Sequence, residues 1–209
     1  MTIFRGKAVG SGGQAIDARQ VRQALAALAD PAAGCELRGL PSGRNLIVRG
    51  QDLDALCAAA ASLAGSTGIY YTLNPVPVDL MRPAKVGDVL CRRWVLIDTD
   101  PCKPDAHKDD SATDTEHEAA RLVTQNVFDF LSEKEWPSPF VIDSGNGYHL
   151  LVRVDLPNTE HARVMVKQFL QALAVRFDVD GGAAIDTAVH NANRLAKLPC
   201  GALMVAAGT

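Results

Sequence analysis

The stretch Arg93 to Thr99, RWVLIDT, limits the fold more than any other part of the chain. A near-continuous apolar run ending in an acid marks a strand buried on both faces, because a strand with one wet face alternates apolar and polar residues. Such a strand needs cover above and below, and the segments after it supply that cover. Thr113 and Glu116 form a capping box for a long helix with Ala119, Leu122, Val123, Val127 and Leu131 turned inward. Phe140 to Ile142 and Tyr148 to Val154 flank Gly145-Asn146-Gly147, and Asn-Gly between apolar runs is a strong hairpin signal. Asn158 caps a further helix whose Ala162, Met165, Val166, Phe169, Leu170 and Leu173 share a face. Ile185 and then Arg194 to Leu198 supply the last strands. This order predicts an α+β fold, with helices on one face of a mainly antiparallel sheet.

Upstream, Asp17 and Gln20 open an amphipathic helix carrying Val21, Ala24, Leu25 and Leu28. Cys35 to Leu37 and Asn45 to Val48 read as a hairpin around Pro41-Ser42-Gly43. Asp52 caps a second helix closed by Gly65, and Ile69 to Leu73 is a β-branched and aromatic strand ended by Asn74-Pro75. Residues 1–90 therefore read as an αβ unit and residues 91–209 as a second, sheet-based unit.

Composition narrows the class without naming a function. At 47% hydrophobic and 22% charged, the 209 residues match an ordinary globular protein. No run reaches the roughly 18 apolar residues of a membrane span, the nearest being Ala55 to Ala64. Met1 to Gly13 has Arg5 and Lys7 but no apolar stretch of a signal peptide, so the expected place is the cytoplasm. Cys35, Cys57, Cys91, Cys102 and Cys200 are an odd set with no CxxC pair, which suggests reduced thiols. Cys91, Cys102, His107 and His117 fit no common zinc spacing, and no zinc is expected. The net charge of −3 provides no basic footprint for tight nucleic-acid binding.

Three groups of residues carry chemistry. Asp98 and Asp100 lie two apart on the strand, so both carboxylates leave one face about 7 Å apart along the chain and can share a cation. Hard oxygen ligands suit Mg²⁺ or Mn²⁺, which complete their shells with water and phosphate. The bland alternative is a solvated strand end. Ser144, Gly145, Asn146, Gly147, Tyr148 and His149 form a glycine turn with a hydroxyl before it and an imidazole after it. Its backbone N–H groups, Ser144 and His149 can surround a phosphate, although an Asn-Gly hairpin with a satisfied sheet histidine has the same sequence. Asp186 follows the Gly181-Gly182 break and precedes Arg194 and Lys197. Three convergent acids repel one another unless cations neutralise them, the arrangement of a two-metal phosphoryl-transfer site. Arg194 and Lys197 are placed to grip phosphate, or are two surface cations on an edge strand.

Taken together, WVLIDTDP, SATDTEHEAA, DSGNGYHLLVRVDLPN and IDTAVHNANRLAKLP resemble the catalytic domain of the archaeo-eukaryotic primase superfamily. They look most like the bifunctional primase-polymerases of phages, plasmids and other mobile elements, often fused to a helicase. CELRGLP and IYYTLNPV upstream are similar to the same group, so the resemblance spans roughly residues 30–200. It implies an αβ unit packed on a sheet like that of an RNA-recognition motif, with the active site in the cleft between them. It further implies template-directed synthesis from NTPs or dNTPs on single-stranded DNA, by two-metal catalysis with Mg²⁺ or Mn²⁺. The family's acids fall on Asp98, Asp100 and Asp186, its serine and histidine on Ser144 and His149, and its basic residues on Arg194 and Lys197. Relatives continue past the lysine with a Gly-Thr turn and further domain, whereas this chain reads Leu198-Pro199-Cys200-Gly201, so it is expected to be a catalytic core working with a helicase domain or partner. Two other functions share these residues: a non-catalytic nucleic-acid-binding module, and a metal-dependent nuclease or cyclase on a palm-like sheet.

Overall fold

The computed structural model describes residues 18–107 and 110–198, together with the backbone of residues 203–205. Two antiparallel sheets and four helices make up the described chain, the α+β class expected. The first sheet has the order β2-β1-β3-β8, from β1 (Gly34–Leu40), β2 (Arg44–Arg49), β3 (Gly68–Thr72) and β8 (Leu195–Lys197). The second has the order β7-β4-β6-β5-β9, from β4 (Cys91–Pro101), β5 (Phe140–Asp143), β6 (Tyr148–Pro157), β7 (Ala183–Ile185) and β9 (Leu203–Val205). β8 thus leaves the second half of the sequence and completes the first sheet, so the two sheets do not part company at residue 90.

The apolar run forms the centre of the second sheet. Val95, Leu96 and Ile97 on β4 are each at most 5% exposed, flanked by β6 and β7. Helix α3 (Asp114–Glu133) packs against β4, β6 and β7, and α4 (Glu160–Phe177) against β7. Trp94 joins the two units by donating from Nε1 to the carbonyl of Leu28, at the end of α1 (Ala18–Leu28). In α1, Val21, Ala24, Leu25 and Leu28 are buried as their spacing requires, while Asp17 lies outside the described residues. Asp52 caps α2 (Leu53–Ser62) by accepting from the Ala55 amide.

Two helices turn differently from expectation. In α3 the buried stripe is Ala120, Val123, Thr124, Val127, Phe128 and Leu131, whereas Leu122 is 50% exposed and Ala119 only partly buried. Thr124 can take an inner position because its hydroxyl donates to the Ala120 carbonyl at 2.8 Å, which removes the cost of burying it. The capping box of Thr113 and Glu116 forms as read. In α4 the buried residues are Ala162, Val166, Leu170 and Leu173, with Met165 exposed and Phe169 stacked on Trp136. Its cap is Thr159 rather than Asn158. The Asn158 amide is used elsewhere, donating to the carbonyls of Val86 and Val89 and tying the β6–α4 junction to the segment before β4.

Candidate active site

Strand register brings the acids together. Asp98 on β4 pairs with His149 on β6. On its other side the β7 ladder continues one step past Ile185, where the amide of Asp186 donates to the Asp98 carbonyl at 2.8 Å. Residues directly opposed in antiparallel strands share a face, so Asp186, Asp98 and His149 form one row across three strands. Asp100 lies two residues along the same face. One step beyond the last pair, Thr99 with Tyr148, it faces Gly147. A Cβ on Gly147 would collide with the Thr99 carbonyl oxygen and stand 2.9 Å from Oδ1 of Asp100, so only glycine permits this approach.

Two buried polar atoms of the row lack hydrogen-bond partners. The side chains of Asp98 and His149 are only 13% and 9% exposed. Nε2 of His149 lies 3.2 Å from Oδ1 of Asp98 without hydrogen-bonding geometry, so Oδ1 is buried with no hydrogen-bond partner, as is Nδ1 of His149. Asp100 reaches solvent, yet its carboxyl is held above the ordinary Asp value by partial desolvation, then by Asp98 and Asp186; His149 and Lys103 oppose the shift. Asp186 accepts from the Ala188 amide at 2.7 Å and lies 3.7 Å from an Arg194 nitrogen. Among the described residues no group of three or more His, Cys, Asp or Glu side chains is gathered into a metal cage. What the row does present is a pair of adjacent hard-oxygen donors, one of them a buried carboxylate oxygen lacking any donor. That fits a divalent cation which keeps part of its shell for water and phosphate.

The glycine turn is built differently from the phosphate cradle expected of Gly145 and Gly147. Gly145, at φ +94°, donates its amide to Oδ1 of Asp143, and the Gly147 amide donates to the Ser144 hydroxyl at 3.1 Å. Both N–H groups donate inside the turn, and Gly147 also permits the close approach of the turn to β4. The Ser144 hydroxyl keeps its own proton to donate. Lys197, on β8, donates from Nζ to the Ser144 carbonyl at 3.1 Å and so joins the first sheet to the turn. Asp98, Asp100, Asp186 and His149 therefore lie on this row and Ser144, Gly145 and Gly147 on the turn beside it, while Lys197 on β8 and Arg194 just before it reach them from the first sheet.

One contributor was missed. His117 on α3 places Nε2 3.1 Å from Oδ1 of Asp143 and Nδ1 3.2 Å from the Tyr148 hydroxyl, with its ring against that of Tyr148. Together with the Ala112 amide, which donates to Oδ1 of Asn146, it anchors the turn to α3. Neither contact is local in sequence, so spacing could not have disclosed them. Of the partners considered with it for zinc, Cys91 opens β4 and Cys102 follows its last residue, which separates the two by on the order of 30 Å. No helix among the described residues is long and apolar enough to cross a membrane.

The two sheets and their helices define an α+β fold that a solved polymerase domain shares. The polymerase domain from Mycobacterium tuberculosis ligase D, solved in complex with DNA, is similar at a TM-score of 0.50 over 88% of this chain and 76% of that one. The two sequences are 14% identical, a level at which the likeness concerns the fold. No protein-family model and no curated protein matches the sequence.

Proposed function

We propose that this chain is a template-directed nucleotidyltransferase, a DNA primase-polymerase. A 3′-hydroxyl would attack the α-phosphorus of an incoming NTP or dNTP, forming a phosphodiester and releasing pyrophosphate. The observation that carries the proposal is the row of Asp186, Asp98 and His149 with Asp100 beside it, its inner carboxylate oxygen lacking a donor. The polymerase-domain fold supports it.

Asp98 and Asp100, with Asp186 beside them, would hold Mg²⁺ or Mn²⁺. Bound there, such ions supply the charge that activates the hydroxyl and stabilises the leaving pyrophosphate. The chain itself binds and orients the nucleotide. Ser144 donates its hydroxyl proton, His149 presents a buried imidazole, and Lys197 and Arg194 neutralise the triphosphate. His117 and Asp143 keep the turn, and with it Ser144, in register with Asp100. A helicase domain or partner supplies added grip on single-stranded DNA, and the enzyme works in the cytoplasm.

The experiment is product analysis with labelled nucleotides on primed and unprimed single-stranded DNA, with Mg²⁺ or Mn²⁺. Template-dependent extension supports the proposal. Shortened DNA or a cyclised nucleotide would replace it with the nuclease or cyclase alternative, and binding with no product would leave a binding module.

A further inference from the structure

Opposite the helices, the first sheet presents a second cross-strand row. Arg38 pairs with Asn45 on one side and Tyr70 on the other, and Tyr70 pairs with Lys197. Paired residues share a face, so Asn45, Arg38, Tyr70 and Lys197 lie side by side across four strands, a width of about 14 Å. Their neighbours Leu37, Tyr71 and Ala196 point the other way into the core and are at most 2% exposed. One end of this open face is walled off, because the Ala84 amide donates to Glu36 and Val76 bridges to Gly34. The other end leads to the candidate active site through the Lys197 bond to the Ser144 carbonyl.

The face has the wrong charge for the molecule as a whole. On a chain of net charge −3, its ionisable side chains are Glu36, Arg38, Arg49 and Lys197. Glu36 is fully buried and pairs with Arg38, Thr72 and the Ala84 amide, so among the described residues the cations of this face without a carboxylate partner are Arg49 and Lys197. Among them stands one aromatic residue. The Tyr70 ring lies over Gly68, where an added Cβ would meet it at 2.8 Å, and it is partly exposed with no hydrogen-bond or ring partner among the described residues. A flat aromatic ring bracketed by cations is how proteins hold single-stranded nucleic acid: bases stack while the backbone is neutralised.

We infer that this row is the track on which single-stranded DNA approaches the acidic site, with a base stacked on Tyr70 and phosphates near Arg49 and Lys197. The inference rests on the nucleotidyl-transfer reading of that site. The test is fluorescence anisotropy with a labelled oligothymidylate, run beside nucleotide incorporation on saturating primed template. Tyr70→Ala weakens oligonucleotide binding about 5- to 150-fold, the range of one lost base stack, and Tyr70→Phe stays within about twofold of wild type. Arg49→Ala, at an exposed position that cannot unfold the sheet, lowers the salt slope of binding by about 0.7. Incorporation at saturating template survives in all three variants. Wild-type binding by Tyr70→Ala, or an unchanged salt slope in Arg49→Ala, overturns the track and leaves the site standing when the wild type incorporates nucleotide. A wild type that neither binds nor incorporates overturns both.

Discussion

Asp98 and Asp100 are alike in the sequence but differ in the fold. Asp98 is sunk between two strands with a carboxylate oxygen that nothing donates to, while Asp100 stands at the mouth, its charged form disfavoured by partial desolvation and by the other two acids. A carboxyl whose folded value is raised stabilises the fold below its unfolded value, and that contribution is lost as pH rises through the folded value. In EDTA, the wild type should therefore match Asp100→Asn below about pH 4 and melt below it at about pH 7, with Mg²⁺ or Mn²⁺ closing the gap. Thermal melts of the two proteins decide this, and a gap independent of pH would contradict it. Gly147 is the other residue on which the site turns. Gly147→Ala places a methyl against the Thr99 carbonyl and Asp100, so it should cost about 1–3 kcal/mol in denaturant unfolding and depress nucleotide incorporation.

At the scale of elements, local signals were legible and tertiary ones were not. The apolar run of β4, the α3 capping box and the Asn-Gly hairpin all declare themselves within a few residues, and each forms where the sequence places it. The phase of α3 and α4 does not, because Leu122 and Met165 outrank Ala120 and Thr124 in hydrophobicity and yet face solvent. Which residue caps α4 was likewise decided by a distant contact, the Asn158 amide being drawn to Val86 and Val89. Thr159→Ala should accordingly destabilise the protein by about 1 kcal/mol through loss of the cap on the Ala162 amide, measured by urea unfolding. The candidate site was legible as a set of residues and not as an arrangement. Alternation along β4 pairs Asp98 with Asp100, but only the register with β6 and β7 puts His149 and Asp186 on either side, and His117 entered from a helix with no sequence signal.

Across the whole molecule, β8 decides how the two sheets work together. It starts just after Arg194, which lies near Asp186, and carries Lys197 into the first sheet, beside Tyr70 and in contact with the glycine turn. The acidic row and the cationic row are consequently joined by one short strand. This also gives the net charge of −3 a spatial meaning: carboxylates gather at the candidate site, while on the outer face of the first sheet Arg49 and Lys197 reach solvent without a carboxylate partner among the described residues. The most direct test of nucleotidyl transfer at this site is primer extension on a single-stranded template, comparing the wild type with the Asp98→Ala/Asp100→Ala double variant under Mg²⁺ and under Mn²⁺. The wild type should extend the primer and the double variant should lose at least about 3 kcal/mol of transition-state stabilisation, more than a hundredfold in rate, with its fold intact by circular dichroism. Extension by the double variant at a rate near that of the wild type would contradict it.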